Sequence, residues 1–214
     1  MILRRFEGGP FQENGYLVVC EATGTAAAVD PGGGTPEMVR TLEAEGWTLS
    51  AVLLTHAHLD HVDGIPLLRT HHPGVPIHLH PADRPLYDAA PAQAAMFGLP
   101  APDLPGIDGD LTPGRSVRVG DVTLEVAFAP GHAPGHVILS HAATDTALVG
   151  DVVFRGSIGR TDLPGGDGPT LMASIRDRIL SLPDRTRLFP GHGPETTVGI
   201  ERRTNPFLLE IQRG

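Results

Sequence analysis

The sequence contains no lysine, so all 16 of its Lys-or-Arg residues are arginines. This absence excludes chemistry that needs an ammonium group, such as a Schiff-base lysine or a Walker-type phosphate-binding loop. The 25 acidic residues give the chain a formal net charge of −9. A chain with this charge and without basic clusters is a poor candidate for binding nucleic acid or an anionic membrane. We therefore expect its partner to be a small molecule.

Cysteine is almost absent, since Cys20 is the only one. A single cysteine excludes a disulfide framework, a thiolate zinc finger and an iron–sulfur cluster held by this chain alone, and we expect it in the core. No apolar run reaches the ~18 residues that a membrane-spanning helix needs. The basic pair Arg4 and Arg5 is followed by neither an apolar stretch nor a small-residue cleavage site. These features predict a cytoplasmic protein without a signal peptide.

The 214 residues fit one large domain, and no composition shift marks a boundary within residues 1–214. Short apolar runs typical of strands alternate with helical patterns, which predicts an α/β fold with two β-sheets covered by helices. Helices are expected at residues 170–182 and at 198–212, with an interruption at Asn205–Pro206. Residues 81–114 are rich in Pro, Ala and Gly, and we expect an irregular loop there that forms a lid.

Histidine is the residue in excess, with 11 copies. The segment His56-Ala57-His58-Leu59-Asp60-His61 places four candidate metal ligands within six residues, directly after an apolar run. Zn, Fe and Mn all accept His and Asp as ligands. Alternation in an extended segment points His56 and His58 to the same side, and a following helical turn directs Asp60 and His61 toward a neighbouring point. One ion could hardly use all four ligands, so the spacing indicates two metal ions.

Three further candidate ligands each follow a predicted strand: His132 in Pro-Gly-His, Asp151 in Gly-Asp, and His192 in Pro-Gly-His-Gly-Pro. Functional side chains often collect at the carboxyl ends of strands, and glycine allows the sharp turns that bring short side chains inward. Taken alone, each of the three would be interpreted as a hydrogen-bonded surface residue. Together with the first four they make seven ligands, the number that two ions use when one carboxylate bridges them.

In this order, the motifs HAHLDH, PGH, GD and PGHGP resemble the metallo-β-lactamase superfamily. Within it, residues 150–162 are similar to the stretch after the bridging aspartate in short, single-domain hydrolases of the glyoxalase II (hydroxyacylglutathione hydrolase) type. Asn205-Pro206-Phe207 is similar to the C-terminal pattern of the same group. The resemblance covers nearly the whole chain and implies an αββα sandwich, in which two mixed β-sheets are flanked by helices.

The same resemblance implies that the seven candidates form two metal sites that share one carboxylate. The implied ligands are His56, His58 and His132 for the first metal, Asp60, His61 and His192 for the second, and Asp151 as the bridge. The expected cofactor is therefore two divalent metal ions per chain. Zinc is the first choice, with iron and manganese as alternatives, because ligation by His and Asp suits all three.

Other residues carry weaker signals. Arg160 occupies a position where members of this family have a basic residue near an anionic part of the substrate, although it could instead pair with Asp162. Ser157 and Gly159 are expected to shape the same wall of the site. Asp30 follows an apolar run and could orient a ligating histidine, or it could simply belong to the Asp-Pro-Gly turn.

Two metal ions about 3.5–4 Å apart bring the pKa of a bridging water close to neutrality. The expected nucleophile is the resulting hydroxide, which attacks a carbonyl carbon, with Asp60 and Asp151 as the catalytic carboxylates. The sequence offers no dedicated general acid, which favours a leaving group that needs little protonation. A thiolate, whose parent thiol has a pKa of about 8.5, leaves more easily than an alkoxide or an amine. We therefore predict a thioesterase of the glyoxalase II type that acts on a small acyl thioester.

Three other activities stay open at this stage. A persulfide dioxygenase-like enzyme with a single iron has similar motifs. A phosphodiesterase or nuclease on the same fold would need a polyanionic substrate, which the net charge of −9 opposes. A non-catalytic metal-binding module would keep the ions without turnover. The 22 residues after His192 leave room for about one helix, whereas larger glyoxalase II enzymes use an added helical region to hold glutathione. The acyl group, the thiol carrier and the oligomeric state therefore stay open.

Overall fold

Two six-stranded β-sheets lie at the centre of the computed structural model, which describes residues 1–213. The strands of the first sheet, in chain order and also in spatial order, are β1 (Ile2–Gly8), β2 (Glu13–Cys20), β3 (Thr25–Val29), β4 (Thr48–Leu53), β5 (Ile77–Leu79) and β6 (Gly109–Asp110). Strands β1 to β3 pair in an antiparallel manner, and β3 to β6 pair in parallel. The first sheet is therefore mixed.

The second half of the chain forms the other sheet and a small hairpin. Its strands are β7 (Ser116–Val119), β8 (Val122–Phe128), β9 (Val137–His141), β10 (Thr146–Gly150), the hairpin β11 (Val153–Phe154) and β12 (Ser157–Ile158), β13 (Arg187–Pro190) and β14 (Thr196–Thr197). The spatial order of the second sheet is β14-β13-β10-β9-β8-β7. Only the β10–β13 pair is parallel, so this sheet is mixed as well.

Helices cover the outer faces of both sheets. They are α1 (Thr35–Glu45), α2 (Leu59–Val62), α3 (Ile65–His71), α4 (Arg84–Asp88), α5 (Ala90–Met96), α6 (Gly168–Ser174), α7 (Val198–Thr204) and α8 (Pro206–Ile211). A π-helical turn, Ile175–Ile179, continues α6. Within residues 1–213, no helix has both the length and the apolar character needed to cross a membrane.

Side-chain alternation along β2 shows why four layers form. Leu17 and Val19 point toward a core that includes residues of α1 and α3, whereas Tyr16 and Val18 point into the core between the two sheets. A third core lies on the outer face of the second sheet, where Val149 packs with residues of α6. A strand with both faces buried has to lie inside a layered structure. The predicted αββα sandwich with two mixed sheets is confirmed.

The main local difference from the prediction lies in residues 81–114, which are not an irregular loop throughout. They contain the short helices α4 and α5 and the short strand β6. Pro85 and Pro91 fall in the first turns of the two helices, where a missing N–H costs no hydrogen bond, and the alanines of α5 favour a helix. In this segment the prolines therefore mark where helices start, and the alanines favour the helical conformation. That this segment acts as a lid over the site stays a prediction, and so does the single domain.

Candidate metal centre

All seven candidate ligands come from segments that directly follow strands of the two sheets. The His56–His61 segment follows β4, and its last two ligands lie in the single turn of α2. His132 follows β8, Asp151 follows β10, and His192 follows β13. The first four ligands belong to the first sheet and the other three to the second. The candidate site therefore lies where the ends of the two sheets meet.

His56, His58 and His132 form the first group. One ring nitrogen from each lies within 4.8 Å of those of the other two, and all three residues are buried. His58 Nδ1 and His132 Nε2 are only 2.9 Å apart. Three nitrogens that converge in this way can hold one divalent ion. This is the group that the family resemblance implied for the first metal.

Asp60, His61 and His192 form the second group, with ligand atoms that again lie within 4.8 Å of one another. Asp60 Oδ2 is 3.2 Å from His192 Nε2 and 3.9 Å from His61 Nε2. The adjacent Asp60 and His61 reach the same point because both lie in the turn of α2, as the sequence predicted. This group corresponds to the second metal of the prediction.

Asp151 lies between the two groups. Its Oδ2 is 3.4 Å from His132 Nε2 in the first group and 3.6 Å from His192 Nε2 in the second. Its Oδ1 is 3.5 Å from His61 Nε2. A carboxylate in this position can contact ions at both groups, which is the geometry that the bridging role requires.

The donor atoms fit divalent metal ions. His56 Nε2, His61 Nε2 and Asp151 Oδ1 are all buried without a hydrogen-bond partner. A buried polar atom without a partner costs about 1–3 kcal/mol, so three at one place call for a further binding partner. Imidazole nitrogens and carboxylate oxygens are ligands for zinc, iron and manganese alike. The residues therefore fit two divalent ions, and the donor set does not select among these metals.

Hydrogen bonds behind the histidines orient their rings. His132 Nδ1 donates to the backbone oxygen of Arg160 over 2.8 Å, which leaves Nε2 to face the centre. His56 Nδ1 is 3.1 Å from the Thr55 hydroxyl, and that hydroxyl donates to Asp30 Oδ2 over 2.6 Å. Asp30 Oδ2 is also 3.2 Å from His61 Nδ1. Asp30 thus lies where a carboxylate that orients His61 has to lie, and it also occupies a turn, with φ of +47°.

Asp83 is a residue of the site that the sequence analysis missed. Its fully buried carboxylate accepts the backbone N–H of Ala57 over 3.0 Å and also that of Gly135. Ala57 lies between two ligands of the first group, His56 and His58. Gly135 lies in the loop between β8 and β9 that also carries His132. Burial raises the pKa of Asp83 to about 6, although both N–H groups lower it. Asp83 is not a ligand, but its position just after β5 matches the pattern that identified the ligands and could have revealed it.

Gly191 shows how tightly the centre is packed. A β-carbon at this position would overlap Asp151 Oδ1 and lie 2.6 Å from His61 Cε1. Only glycine allows the backbone to pass this close to the two side chains. The Gly-His pair in the segment 190–194 therefore has a physical cause. Gly191 lets the backbone pass close to Asp151 and His61, and the side chain of His192 then extends into the centre.

Electrostatics distinguish the two groups. Burial, followed by repulsion from His132, lowers the pKa of His58 to about 4, and burial lowers the pKa of His56 well below its usual value. Burial opposes the charge on His61 too, but the Asp151 and Asp60 carboxylates raise its pKa well above the usual value. Burial likewise lowers the pKa of His192, but the hydrogen bond with Asp60 and the charges of Asp151 and Asp60 together raise it above its usual value.

These pKa shifts predict that metal binding releases different numbers of protons at the two sites. Without metal, His56 and His58 are neutral at pH 6.5, whereas His61 and His192 still hold protons that a metal must displace. Affinity at the second site should therefore fall more steeply as the pH drops from 8 to 6. Calorimetric titration of metal-free protein in buffers of different ionisation enthalpy measures the protons released by each ion. Equal release at both sites would contradict this prediction.

A cavity of about 370 Å³ opens onto the centre. His58, Asp60, Asp151 and His192 line it together with Ser157, so the ligands are accessible to a small molecule. Most small-molecule sites have volumes of about 300–1,000 Å³. The cavity is therefore large enough for a compact substrate.

The three predicted substrate contacts take different positions. The side chains of Ser157 and Arg160 line the cavity. Arg160 makes a bidentate ion pair with Asp162, at 2.7 and 2.8 Å. Gly159 is buried, and a β-carbon there would overlap the backbone oxygen of Asp151 and lie 3.0 Å from His132 Nδ1. Contact of these residues with substrate stays a prediction.

The chain belongs to the metallo-beta-lactamase superfamily, whose sequence profile matches residues 8–192. It is a metallo-hydrolase of that superfamily with His/Asp groups for metal ions. The family resemblance stated from the motifs is confirmed, including its glyoxalase II-like part.

Individual relatives match almost the whole length of the chain. Hydroxyacylglutathione hydrolase GloC of Haemophilus influenzae is 40% identical over an alignment of 205 residues that covers 92% of this chain and 93% of the relative. The crystal structure of BLEG-1 B3 metallo-beta-lactamase has a TM-score of 0.89 at 38% identity and covers 97% of this chain and 99% of its own. The crystal structure of TTHA1623 in a di-iron-bound form has a TM-score of 0.85 at 42% identity, with coverages of 96% and 100%.

Proposed function

We propose that the protein is a metal-dependent thioesterase of the glyoxalase II type. One observation carries the proposal: Asp151 joins two ligand groups into one centre, and a cavity gives a small molecule access to it. The relative named hydroxyacylglutathione hydrolase, 40% identical over almost the whole chain, supports a thioester as the substrate. The small-molecule partner and the cytoplasmic location expected from the sequence stay predictions.

His56, His58 and His132 would hold one ion, Asp60, His61 and His192 the other, and Asp151 would contact both. Divalent ions so placed supply a water of lowered pKa and polarise a carbonyl group. The chain's own residues position these groups: Asp30 and the backbone oxygen of Arg160 hold the rings of His61 and His132. Asp60, whose side chain is 19% exposed at the cavity, is the carboxylate that we assign to accept a proton.

The cavity favours a leaving group that departs without a proton. Apart from the candidate ligands, its polar side chains are Gln93, Ser157 and Arg160, and none of them is an acid near neutral pH. Hydrolysis of a thioester breaks the C–S bond and forms a C–O bond, and the thiolate leaves with the electron pair. A thiol has a pKa of about 8.5, so its anion needs no donor, whereas an amine or alkoxide would. This argument favours thioesters over amides and ordinary esters.

The test is metal analysis followed by a substrate panel. We expect about two ions per chain in protein purified without added metal or chelator, as in other two-metal hydrolases. The loaded protein should release thiol from S-lactoylglutathione or an acyl-N-acetylcysteamine, lose this activity with a chelator and regain it with metal. A model phosphodiester should stay intact. A single iron with oxygen uptake, or no thiol release from any thioester, would overturn the proposal.

A further inference from the structure

Apolar side chains form most of the cavity lining outside the metal centre. They are Phe11, Leu59, Phe97, Phe154, Ile158 and Leu163. Phe11 comes from the turn between β1 and β2, and Phe97 comes from the end of α5, so two distant parts of the chain meet here. Their rings pack edge to face, with centroids 4.9 Å apart. The pair forms an aromatic wall beside the centre.

Phe97 is unusually exposed for an aromatic residue, at 53%. Exposed apolar surface next to a ligand site is typical of a binding surface, because a ligand that covers it removes apolar area from water. Phe11, in contrast, is partly buried against the core below. Phe97 is therefore the member of the pair that an apolar ligand would cover.

Apart from the candidate ligands and Ser157, the polar side chains that line the cavity already have hydrogen-bond partners. Gln93 Oε1 accepts the backbone N–H of Leu59 over 3.0 Å, and Gln93 Nε2 donates to Leu86 O over 2.8 Å. Arg160, the only arginine that lines the cavity, already holds the Asp162 carboxylate with two hydrogen bonds. Ser157 keeps a hydroxyl whose one internal contact is 3.5 Å long. The lining thus offers a substrate apolar surface and one hydroxyl, and no cation that lacks a partner.

We propose that the substrate carries an apolar acyl group, which lies against Phe11 and Phe97 while its carbonyl faces the metal centre. The proposal rests on the proposed thioesterase function and names its substrate class. The site should discriminate little among carrier thiols. A charged carrier such as glutathione meets only one arginine, Arg160, which is already paired with Asp162. Phe97 is the specificity-determining residue of this arrangement.

Four thioesters test the proposal in a two-by-two design. Butyryl and lactoyl groups, which are close in size and differ in polarity, are each placed on glutathione and on uncharged N-acetylcysteamine. We expect kcat/KM to be about tenfold or more higher for butyryl than for lactoyl on both carriers, a ratio within the range of small apolar differences in such pockets. Changing the carrier should alter kcat/KM less than changing the acyl group.

The variant Phe97→Ala should abolish most of the butyryl preference, and Phe97→Leu should restore much of it. Phe207→Ala is the matched control, because Phe207 is also partly exposed but lies on α8 and does not line the cavity. This control should change kcat/KM by less than about twofold, as substitutions at unrelated surface positions do. A second readout is the Kd of the butyryl ketone analogue, in which methylene replaces sulfur. Phe97→Ala should raise this Kd about tenfold, both in metal-loaded and in metal-free protein.

The outcomes separate the two proposals. Release of thiol from none of the four thioesters by metal-loaded protein overturns the thioesterase function, and the acyl specificity falls with it. Turnover with a preference for lactoyl, or an equal loss of all four activities in Phe97→Ala, overturns the apolar acyl group alone. A lactoyl preference that disappears in Ser157→Ala would assign the acyl contact to the Ser157 hydroxyl instead.

Discussion

Replacing Asp151 with asparagine is expected to lower kcat/KM for thioesters by well over a hundredfold. Loss of a residue behind a metal ligand typically costs about 10–100-fold, and Asp151 faces both ligand groups directly. An amide is a neutral and weaker ligand, and its NH2 group would point a donor at a metal or at a histidine. The metal content should fall from two ions toward one. Steady-state kinetics and metal analysis of the purified variant measure both effects.

His58→Ala should have a comparable effect through the first site alone, since His58 belongs to only one ligand group. Asp121→Asn and His71→Ala are matched controls, because both residues are exposed and lie outside the centre. Circular dichroism should show that all four variants are folded. Turnover close to wild type in Asp151→Asn or His58→Ala would refute the two-metal mechanism, and unfolding of these two variants alone would assign the metals a structural role.

The candidate ligands could be predicted because their sequence signals are local, and the family resemblance implied how they divide into two groups. Each ligand lies within a few residues of an apolar strand, and the spacing in 56–61 by itself brings ligands to two points. The fold could be predicted for a related reason. Strands such as β2, which carry apolar residues on both faces, require layers on both sides.

The contacts that hold the site together could not be predicted, because they depend on which segments tertiary packing brings close. Asn205 belongs to the C-terminal motif, yet its Nδ2 donates to Ser157 O over 2.9 Å and to Glu201 Oε2 over 2.9 Å. Glu201, fully buried, also accepts the N–H of Gly156 over 2.8 Å. The C-terminal helices thus fix the β11–β12 hairpin that forms one wall of the cavity. Nothing near Asn205 in the sequence indicates this partner.

The aromatic wall was missed for the same reason. Phe11 and Phe97 lie 86 positions apart, and neither belongs to a periodic pattern. In the sequence, residues 81–114 stand out only because they fit no regular element. Their helices carry Gln93 and Phe97 to the cavity, so the segment does take part in the site, through its helical turns.

Asp83→Asn is expected to weaken metal binding at the first site by about 10–100-fold, the usual effect of losing a group that supports metal ligands. The two carboxylate oxygens of Asp83 accept one N–H from each of the loops that carry His58 and His132. Asparagine keeps the shape but has one acceptor, so its NH2 group would face a backbone N–H. One hydrogen bond would be lost and two donors would meet inside the protein. The loops should then separate, although no ligand has been changed.

The free energy of unfolding of metal-free Asp83→Asn should also fall, by about 1–3 kcal/mol, because a buried N–H loses its acceptor. Asp88→Asn, at an exposed position on the neighbouring α4, is the matched control and should leave both quantities unchanged. Urea unfolding and competition with a chromophoric chelator measure the two effects separately. If stability falls while the affinity of the first site is retained, Asp83 stabilises the fold without positioning the ligands. If both fall together, the carboxylate couples the order of the two loops to the geometry of the metal centre.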